Sequence, residues 1–526
     1  MQPIETIERS RQERQVELDG MKSQGERNRL GQFATPELLA LDMLKLAREL
    51  WTPASEKLRF LDPALGIGSF YSALRRTFPK RFIESADGIE LDHTFGRTAR
   101  ELWGEAGLQV RDADFTRLTP PQAGKRATLL VANPPYVRHH HLNGSDKLRL
   151  QSVVASRLSM KISGLAGLYC YFLLLSHDWM EDECLALWLI PSEFLDVNYG
   201  VTLREYLRQK VTLLRLHRFD PTEVQFSDAL VSSAVVVFRK VPPTVGHRAL
   251  FTFGGSLTKP RRRQELNLTK LPSSMKWSAY PQSRGAKLTG DLGPHLSDFF
   301  SIKRGIATGA NEFFILPRSR ARELGIPDEF LRPILPSPRH LHETVIEAGP
   351  DGYPLLPKQL VVIDCALPEE QLQATAPGLY SYLQTTKTAG LLDRYLVRKR
   401  SPWYRQEQRA PVPFLSTYMG RGTGTAKPFR FIWNKSNAIA ANVYLLLYPV
   451  RDMKLALAQE PGLYPVIYDL LQAIGGDALR AGGRVYGGAL HKLEPKELGG
   501  LPAAAFAQAI AAHVHRPETL FDARVL

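Results

Sequence analysis

Four consecutive residues at the end of an apolar run combine a carboxamide, two prolines and a phenol. The stretch ATLLVANPPY ends in Asn133, Pro134, Pro135 and Tyr136. Proline fixes the backbone angle φ and removes an N–H donor, so this turn is stiff and extended. The Asn133 carboxamide oxygen and the Pro134 carbonyl oxygen then form a pair of acceptors, which suits a planar amino group.

This pair of acceptors favours one kind of chemistry. It can hold the hydrogens of an –NH2 group and direct the nitrogen lone pair at an electrophile, so no strong general base is needed. Tyr136 adds a ring face on which a planar base or amide can stack. We therefore predict that Asn133, Pro134 and Tyr136 are catalytic, against the alternative of a structural Asn-Pro turn.

A glycine turn earlier in the chain indicates a ligand site. FLDPALGIGSF follows a predicted strand and precedes a predicted helix, so Asp62, Gly66 and Gly68 lie in a tight turn. Glycines there let the backbone approach a ligand closely, and the helix N-terminus offers free N–H groups. The third glycine of a phosphate-binding loop is absent, so a simple structural turn is the alternative.

Acidic residues end the next two predicted strands. Glu90 ends ADGIELD, where a carboxylate can accept hydrogen bonds from ribose hydroxyls. Asp114 ends RDADF, where an acid can accept from the exocyclic amine of adenine while Phe115 packs against the base. Each acid alone could merely cap a helix. Together with Asp62, they favour a cofactor that contains adenosine.

The pattern of strands and helices predicts how these residues are positioned. Short apolar runs alternate with helical patterns up to about residue 240, which predicts an α/β fold with a doubly wound, Rossmann-like sheet. The last two predicted strands lack a helix between them, so we expect an antiparallel edge. The predicted strands are LRFLDP, ADGIELD, LQVRDADF, ATLLVANPP, LALWLIP, VTLLRLHRF and SSAVVVFRK.

The chain is long enough for several domains. Residues 1–30 predict a charged N-terminal helix and linker, and KVPPTVGHR, with two prolines and a glycine, predicts a boundary. We therefore expect a nucleotide-binding domain at 31–243. At 244–526, prolines and basic clusters replace the regular alternation, which predicts a separate α+β domain.

Charge and cysteine content narrow the classes of function. The formal charge of +15 favours an anionic partner, with nucleic acid ahead of a membrane, although a merely soluble basic protein is the alternative. Three separated cysteines predict neither a disulfide framework nor a zinc site. The start lacks an apolar signal region and no apolar run reaches about 18 residues, so we expect a soluble, cytoplasmic protein without membrane partners.

Clusters of cations and aromatic residues are candidate nucleic-acid-binding segments, with phosphate contacts and groove insertion as their roles. Any single arginine among them could instead be a solvated charge, and the glycine-rich GGRVYGGALHK could be a simple turn. Three consecutive histidines, His139–His141, cannot all face one ion, so we predict a DNA-facing loop and no metal site. The candidate DNA-binding residues are Arg261, Arg262, Arg263, Arg398, Lys399, Arg400, Trp403, Tyr404, Arg484 and Lys492.

Taken together, these motifs resemble the class I S-adenosylmethionine-dependent methyltransferases. Within that class they resemble the adenine-N6 DNA methyltransferases of restriction–modification systems, with the gamma order of motifs. NPPY matches the catalytic tetrapeptide, and DPALGIGSF resembles DPACGSGxF with Leu65 and Ile67 in place of Cys and Ser. GLYCYF resembles DLYxxF, with Gly167 in place of the acid. GQFATP resembles the motif that lies along the methionine part of the cofactor.

The resemblance implies roles for particular residues. Residues 31–243 are then the catalytic domain, S-adenosyl-L-methionine is the cofactor, and no metal is required. VQFSDALVSSAVVVF resembles the segment whose phenylalanine stacks on the flipped base, which implies that role for Phe226 beside Tyr136. The implied cofactor-binding residues are Thr35, Pro36, Asp62, Ala64, Gly66, Gly68, Glu90, Asp114, Phe115 and Asn133.

The second half carries the resemblance further. IKRGIATGANEFFIL, FLRPILPS, SPWYRQEQR, NKSNAIAANVYLLLYP and GGRVYGGALHKLEPKEL resemble the target-recognition region of Eco57I- and TaqI-type methylases. This likeness implies that residues 244–526 recognise DNA, and it adds Lys303 and Arg304 to the DNA-binding residues.

The resemblance implies methyl transfer to the N6 amine of a flipped-out adenine in double-stranded DNA, by a monomer on DNA, within a restriction–modification or phage-defence system. The roughly 30 residues before the first motif are too few for a nuclease domain, so a separately encoded restriction endonuclease would cleave. NPPY also occurs in protein-glutamine methyltransferases. An RNA or protein-glutamine methyltransferase, or a non-catalytic DNA-binding defence module, are the alternatives.

Overall fold

The computed structural model of this chain describes residues 3–51, 57–220, 232–281, 293–385, 390–421, 427–486 and 490–511. These residues form two compact units. The first extends to residue 281 and the second starts at residue 293, with Tyr486 grouped in the first.

A nine-stranded sheet is the centre of the first unit. Its order is β3-β2-β1-β4-β5-β7-β6-β8-β9, with β1 to β5 mutually parallel and β7 antiparallel to both β5 and β6. The strands are β1 Leu58–Asp62, β2 Ile83–Glu90, β3 Gln109–Asp112, β4 Ala127–Ala132, β5 Met180–Pro191, β6 Thr212–Arg218, β7 Ser233–Arg239, β8 Arg248–Gly255 and β9 Pro260–Asn267.

Helices cover both faces of this sheet, because alternate residues of each buried strand point to opposite sides. Phe60 and Leu129 pack with α1, α3, α4 and α5, whereas Leu61 and Leu130 pack with α6, α7 and α8. The helices are α1 Ile4–Gly20, α2 Gln24–Leu30, α3 Glu37–Leu50, α4 Ser69–Thr77, α5 His93–Trp103, α6 Gly144–Leu158, α7 Leu168–Leu175 and α8 Val201–Gln209. The predicted doubly wound sheet with an antiparallel edge is confirmed.

The sheet continues past the predicted domain boundary at residues 243 and 244. β8 pairs with β6 and β9 pairs with β8, so both strands belong to the first unit. The proline- and glycine-containing segment Lys240–Arg248 therefore joins β7 to β8, which lie on either side of β6 in one sheet, and is not a linker between domains. Composition alone cannot separate these two uses of proline and glycine.

The second unit contains three smaller sheets. Their strand orders are β10-β18-β15-β17-β13, β11-β14-β12 and β16-β20-β19. The strands are β10 Phe300–Arg304, β11 Ile315–Pro317, β12 Leu331–Ile334, β13 Val345–Ile346, β14 Leu360–Ile363, β15 Phe414–Thr417, β16 Met419–Arg421, β17 Phe431–Asn434, β18 Tyr444–Pro449, β19 Arg484–Tyr486 and β20 Leu490–Lys492.

Short helices complete the second unit, which agrees with the predicted α+β architecture. They are α9 Leu296–Phe299, α10 Asn311–Phe314, α11 Arg318–Glu323, α12 Glu369–Thr375, α13 Pro377–Gln384, α14 Tyr395–Arg398, α15 Arg451–Gln459, α16 Leu463–Ala473, α17 Gly476–Gly482, α18 Pro495–Gly499 and α19 Ala504–Ala511. Among the described residues of both units, no helix is long and apolar enough to cross a membrane.

Candidate active site

The carboxyl ends of neighbouring parallel strands bring the predicted acids and Asn133 to one edge of the sheet. β2, β1 and β4 are adjacent, so Glu90, Asp62 and Asn133 lie side by side at their ends. A cavity of about 470 Å³ opens there, within the range typical of small-molecule sites. The predicted cofactor-binding residues that line it are Thr35, Asp62, Ala64, Gly66, Glu90, Asp114, Phe115 and Asn133.

The two glycines of the turn after β1 have different uses. Gly66 has φ +57°, and a Cβ added there would meet no atom within 4 Å, so its backbone faces open space at the cavity. A Cβ added at Gly68 would lie 2.7 Å from Nε1 of Trp103, which donates to the Ile67 carbonyl at 3.0 Å. Gly68 is absent from the cavity lining, as is Pro36, so Gly68 serves the packing of the indole.

Asp62 presents an unpaired acceptor. Its side chain is buried, and Oδ1 accepts from the Ala64 backbone N–H at 3.1 Å. The other oxygen, Oδ2, has no hydrogen-bond partner among the described residues. Burial raises the pKa of this carboxyl to about 8, and the charge of Glu90 adds to the rise, while the Ala64 hydrogen bond opposes it. A cationic or hydrogen-bond-donating ligand would relieve this unsatisfied group.

Glu90 links the ends of β1 and β2. Its Oε2 accepts from the Gly66 N–H at 2.8 Å and its Oε1 from the Asp92 N–H at 2.8 Å. Burial raises the pKa of Glu90 to about 7, although both backbone hydrogen bonds act in the opposite direction. Each oxygen keeps a second lone pair, so the carboxylate is oriented by the backbone and can still accept from two hydroxyl groups.

Asp114 caps the turn that follows it and also faces the cavity. Its Oδ1 accepts from the Thr116 N–H at 2.9 Å, which is a cap of the turn that follows, and its side chain also lines the cavity. Phe115 is buried, with its ring centroid 5.1 Å from that of Phe172 and 5.2 Å from that of Trp179. The phenyl ring therefore forms an apolar wall of the cavity that is fixed by other aromatic rings.

Asn133 is held so that its carboxamide oxygen remains available. Its Nδ2 donates to the Phe33 carbonyl at 3.0 Å and to Oγ1 of Thr35 at 3.1 Å. Its Oδ1 is buried and has no hydrogen-bond partner within the described part of the chain. Buried polar atoms are nearly always paired, so such an oxygen at a cavity indicates a place for a donor.

Tyr136 anchors the same turn. Its hydroxyl donates to the Leu189 carbonyl at 3.2 Å, and its ring lies 5.6 Å from that of Phe33. The residue is only 7% exposed, and burial raises the pKa of its hydroxyl. Pro135 lines the cavity and Tyr136 does not, so little of the predicted stacking face is accessible among the described residues. Phe226, the other predicted stacking residue, lies outside the described residues.

Helix α1 supplies residues that sequence reasoning missed. Gln15 and Asp19 line the cavity, so this helix is part of the site and not a separate appendage. Arg11 pairs with Glu8 at 2.7 Å and donates to Ser69 at 3.0 Å, at the start of α4. Lys22 pairs with Asp92 at 2.5 Å. The sequence signal was weak, because a highly charged helix has no apolar stripe that would reveal its buried face.

The KPRRRQ cluster lies in the first unit, which corrects its predicted place in the second domain. Arg261, Arg262 and Arg263 belong to β9 at the edge of the nine-stranded sheet. Arg261 and Arg263 are exposed, whereas Arg262 is half-buried with its guanidinium 4.4 Å from the centroid of the Phe253 ring. Because β9 is antiparallel to β8, it begins where β8 ends, and its first residues, these arginines among them, lie toward the carboxyl edge of the sheet.

Three residues predicted to contact DNA from the second unit donate hydrogen bonds within the protein, and one of them is fully buried. Tyr404 is fully buried and donates to the Leu367 carbonyl. Trp403 is half-buried and donates to Glu369 at 3.2 Å. Arg400 donates to the Thr308 carbonyl at 2.7 Å.

The remaining predicted cations differ in exposure. Arg398 and Lys399 are exposed at the end of α14, and Lys303 and Arg304 are exposed on β10. Lys492 is largely covered and pairs with Glu494 at 2.9 Å. The side chain of Arg484, the first residue of β19, lies outside what the structure describes.

The histidine loop forms a single helical turn, His139–His141, after NPPY. The rings of His140 and His141 lie 4.2 Å apart, centroid to centroid. The described residues contain no cluster of three or more metal-ligating side chains.

The cavity fits a cationic adenosine-containing methyl donor. Asp62 offers an unpaired carboxylate oxygen, Glu90 an oriented acceptor pair, Gly66 an open backbone and Phe115 an apolar wall. Such a site at the edge of this sheet defines a class I methyltransferase, which uses S-adenosylmethionine.

Comparison with known proteins specifies the family. The sequence-family model of the Eco57I restriction-modification methylase matches residues 112–225. The family model of the C-terminal domain of the Type II methyltransferase M.Eco57I matches residues 288–524. The two matches together cover most of the chain, which is therefore similar along most of its length to the Eco57I restriction–modification methylases.

Curated relatives cover most of the chain. It is 28% identical over 482 residues to Type II methyltransferase M.XamI of Xanthomonas campestris pv. amaranthicola, covering 89% of this chain and 84% of the relative. It is 26% identical over 490 residues to Type II methyltransferase M.AccI of Acinetobacter calcoaceticus, covering 90% and 85%.

A solved structure agrees with the fold. The Type IIL restriction-modification enzyme MmeI, solved in complex with DNA, aligns with a TM-score of 0.51 at 12% identity. The alignment covers 80% of this chain and 60% of that one, so this chain spans less than two thirds of that protein. At this identity, the likeness supports the fold alone.

Proposed function

We propose that this methyltransferase transfers a methyl group from S-adenosylmethionine to the N6 amine of a flipped-out adenine in a specific sequence of double-stranded DNA. The observation that carries the proposal is the buried, unpaired Oδ1 of Asn133 at the edge of an acid-lined cavity. An exocyclic amine is a donor that such an acceptor can hold.

The chain's own residues then orient the amine. Asn133 Oδ1 accepts one hydrogen of the –NH2 group and the Pro134 carbonyl accepts the other. Both hydrogens are then held in one plane, and the nitrogen lone pair is directed out of that plane toward the cavity. A neutral amine needs no prior deprotonation, so the absence of a basic side chain among the predicted catalytic residues is consistent with this chemistry.

The cofactor would occupy the cavity that the strand ends line. When bound, S-adenosylmethionine supplies an electrophilic methyl group on a positively charged sulfur. Glu90 would hold ribose hydroxyls, Asp114 and Phe115 the adenine, and Asp62 the positively charged end. Gln15 and Asp19 of α1 would lie beside it and exclude water from that side.

The target base must leave the duplex to reach Asn133, because its amine is inaccessible inside the stack. We propose Phe226 and Tyr136 as its stacking faces, with Tyr136 able to contribute only through movement, since the ring is 7% exposed. For phosphate contacts, we retain the exposed cations Arg261, Arg263, Lys303, Arg304, Arg398 and Lys399.

Long-read sequencing that detects modified bases tests the proposal. DNA from cells that express the wild-type chain should carry N6-methyladenine at one short motif, and DNA from cells that express Asn133→Ala at the same level should carry much less. Methylated cytosine at the motif would contradict the choice of adenine. Unmodified DNA, despite soluble protein that binds S-adenosylmethionine, would contradict DNA as the substrate and favour RNA or protein glutamine.

A separately encoded restriction endonuclease with the same recognition sequence is the partner that we propose. Methylation by the wild-type chain should then protect plasmid DNA from such a nuclease, and DNA prepared with Asn133→Ala should be cut. Cutting of both DNAs would show that the two proteins do not share a recognition sequence.

A further inference from the structure

We propose that Thr35 is a positioning residue, which, together with the Phe33 carbonyl, sets the rotation of the Asn133 carboxamide so that Oδ1 faces the substrate amine. This inference rests on the proposed function, because it assigns the amine to Asn133. It gives the segment before the first strand a task in catalysis that is separate from cofactor binding.

The hydrogen bonds of Asn133 account for both of its donors. A carboxamide nitrogen has two hydrogens, and Nδ2 donates to the Phe33 carbonyl at 3.0 Å and to Oγ1 of Thr35 at 3.1 Å. The side chain therefore has no donor left to offer the substrate. Its Oδ1, buried and without a partner among the described residues, presents only acceptor lone pairs.

The Phe33 carbonyl decides which way the carboxamide points. A carbonyl oxygen can only accept, so a rotation that exchanged Nδ2 and Oδ1 would set two acceptors against each other. The same rotation would turn an N–H of Asn133 toward the substrate –NH2 group, where a donor would meet a donor. Thr35 adds the second contact, which prevents the carboxamide plane from tilting about the first.

Residues 31–35, which we term the splint, are attached to the NPPY turn at a second point. The Tyr136 N–H donates to the Gly31 carbonyl at 3.1 Å. Gly31 has φ +67°, and a Cβ added there would lie 2.4 Å from the Tyr136 nitrogen, so only glycine allows this approach. The splint therefore moves with NPPY, and the distance between Thr35 and Asn133 is held by the backbone.

Thr35 can serve the cofactor and Asn133 at once, and the two roles predict different measurements. Its Oγ1 accepts from Asn133, and its own hydroxyl hydrogen remains for another acceptor. Loss of a cofactor contact would weaken S-adenosylmethionine binding, and saturating cofactor would restore the rate. Loss of the positioning contact would lower the rate of methyl transfer at saturating cofactor.

The test compares Thr35→Val with Thr35→Ser in the full-length protein. Valine keeps the size of threonine and removes the acceptor, whereas serine keeps the hydroxyl. Single-turnover methyl transfer to unmethylated genomic DNA is measured with tritiated S-adenosylmethionine at saturating concentration, and cofactor affinity is measured by calorimetry. Melting temperatures of both variants show whether the fold is retained.

We expect Thr35→Val to lower the single-turnover rate at saturating S-adenosylmethionine roughly tenfold, since the hydrogen bond from Asn133 is lost. Any weaker binding of the cofactor is measured separately by the calorimetry. Thr35→Ser should remain within about threefold of wild type. A wild-type rate for Thr35→Val, or a loss that saturating cofactor restores, would overturn the positioning role. Failure of the proposed function is distinguishable, because the wild-type chain would then transfer no methyl group to adenine.

Discussion

The segments Asn133–Tyr136 and Arg398–Tyr404 are both rich in groups that could contact DNA, yet they use those groups differently. Both N–H groups of the Asn133 side chain donate to the splint, and its buried Oδ1 has no hydrogen-bond partner among the described residues. In the other segment, the side chains of Arg400, Trp403 and Tyr404 donate to the protein itself. Unused hydrogen-bonding capacity at a cavity therefore separates a candidate catalytic group from a structural one, whereas residue type does not.

Removal of the unpaired acceptor should have the largest effect. Asn133→Ala is expected to reduce methyl transfer by roughly a hundred- to thousandfold, because a group that holds the reacting atom is lost. Cofactor binding, measured by calorimetry, should change little, since Asp62 and Glu90 remain. A variant that retains more than a tenth of the wild-type rate would show that Asn133 is not the amine holder.

The buried tyrosine of the other segment should affect stability instead. Tyr404→Ala removes a fully buried ring and its hydrogen bond to Leu367, so we expect a loss of about 3–5 kcal/mol in the free energy of unfolding. Chemical denaturation that resolves the second unit measures it. Tyr404→Phe, the matched control, should lose only about 1 kcal/mol. If Tyr404→Ala has the stability of the wild type and binds DNA more weakly, Tyr404 contacts DNA and is not a structural residue.

Two arginines of the same segment, Arg398 and Arg400, allow a finer comparison. Arg400→Ala should cost about 1–3 kcal/mol of unfolding free energy, because the Thr308 carbonyl and its neighbour lose their donor. Arg398→Ala should change stability by less than about 0.5 kcal/mol, since that side chain is exposed. If Arg398 contacts a phosphate, its removal should also lower the slope of DNA affinity against salt by about one. Equal stability of the two variants would contradict the structural role of Arg400.

The unpaired carboxyl of Asp62 in the same cavity predicts a pH dependence. Burial raises the pKa of Asp62 to about 8, so much of this group holds a proton at neutral pH in the ligand-free protein. A cationic ligand favours the ionised form, so binding should release protons, and affinity should increase as the pH rises toward 8. Calorimetry in buffers of different ionisation enthalpy measures the release.

Asp62→Asn is the control for that titration, because asparagine keeps an acceptor for the Ala64 N–H and has no carboxyl proton. The raised pKa of Asp62 also determines how the stability of the ligand-free protein depends on pH. A folded-state pKa above the unfolded value near 3.9 means that the free energy of unfolding falls as pH rises from about 4 through 8, and in Asp62→Asn it should fall less. If Asp62→Asn releases as many protons on ligand binding as the wild type does, another group is responsible for the titration.

Much of the fold followed from local patterns. Alternation of apolar runs and helices predicted the doubly wound sheet, and the missing helix before β7 predicted its antiparallel partner. The domain boundary could not be predicted in the same way, because a proline-rich segment can connect two strands of one sheet or two domains. Helix α1 was predicted as a helix, but its place at the cavity depends on contacts such as that of Arg11 with Ser69, which are distant in sequence.

The sequence by itself determined that Asp62, Glu90 and Asn133 meet, because parallel strands in this order bring their carboxyl ends to one edge whatever the side-chain details are. Only the tertiary structure decided what each group does there. The hydrogen-bond partners of Asn133 and the indole against Gly68 come from segments far along the chain. The physical reason is that hydrogen bonds and close packing depend on which atoms arrive within about 3–4 Å, and a linear pattern does not specify those neighbours.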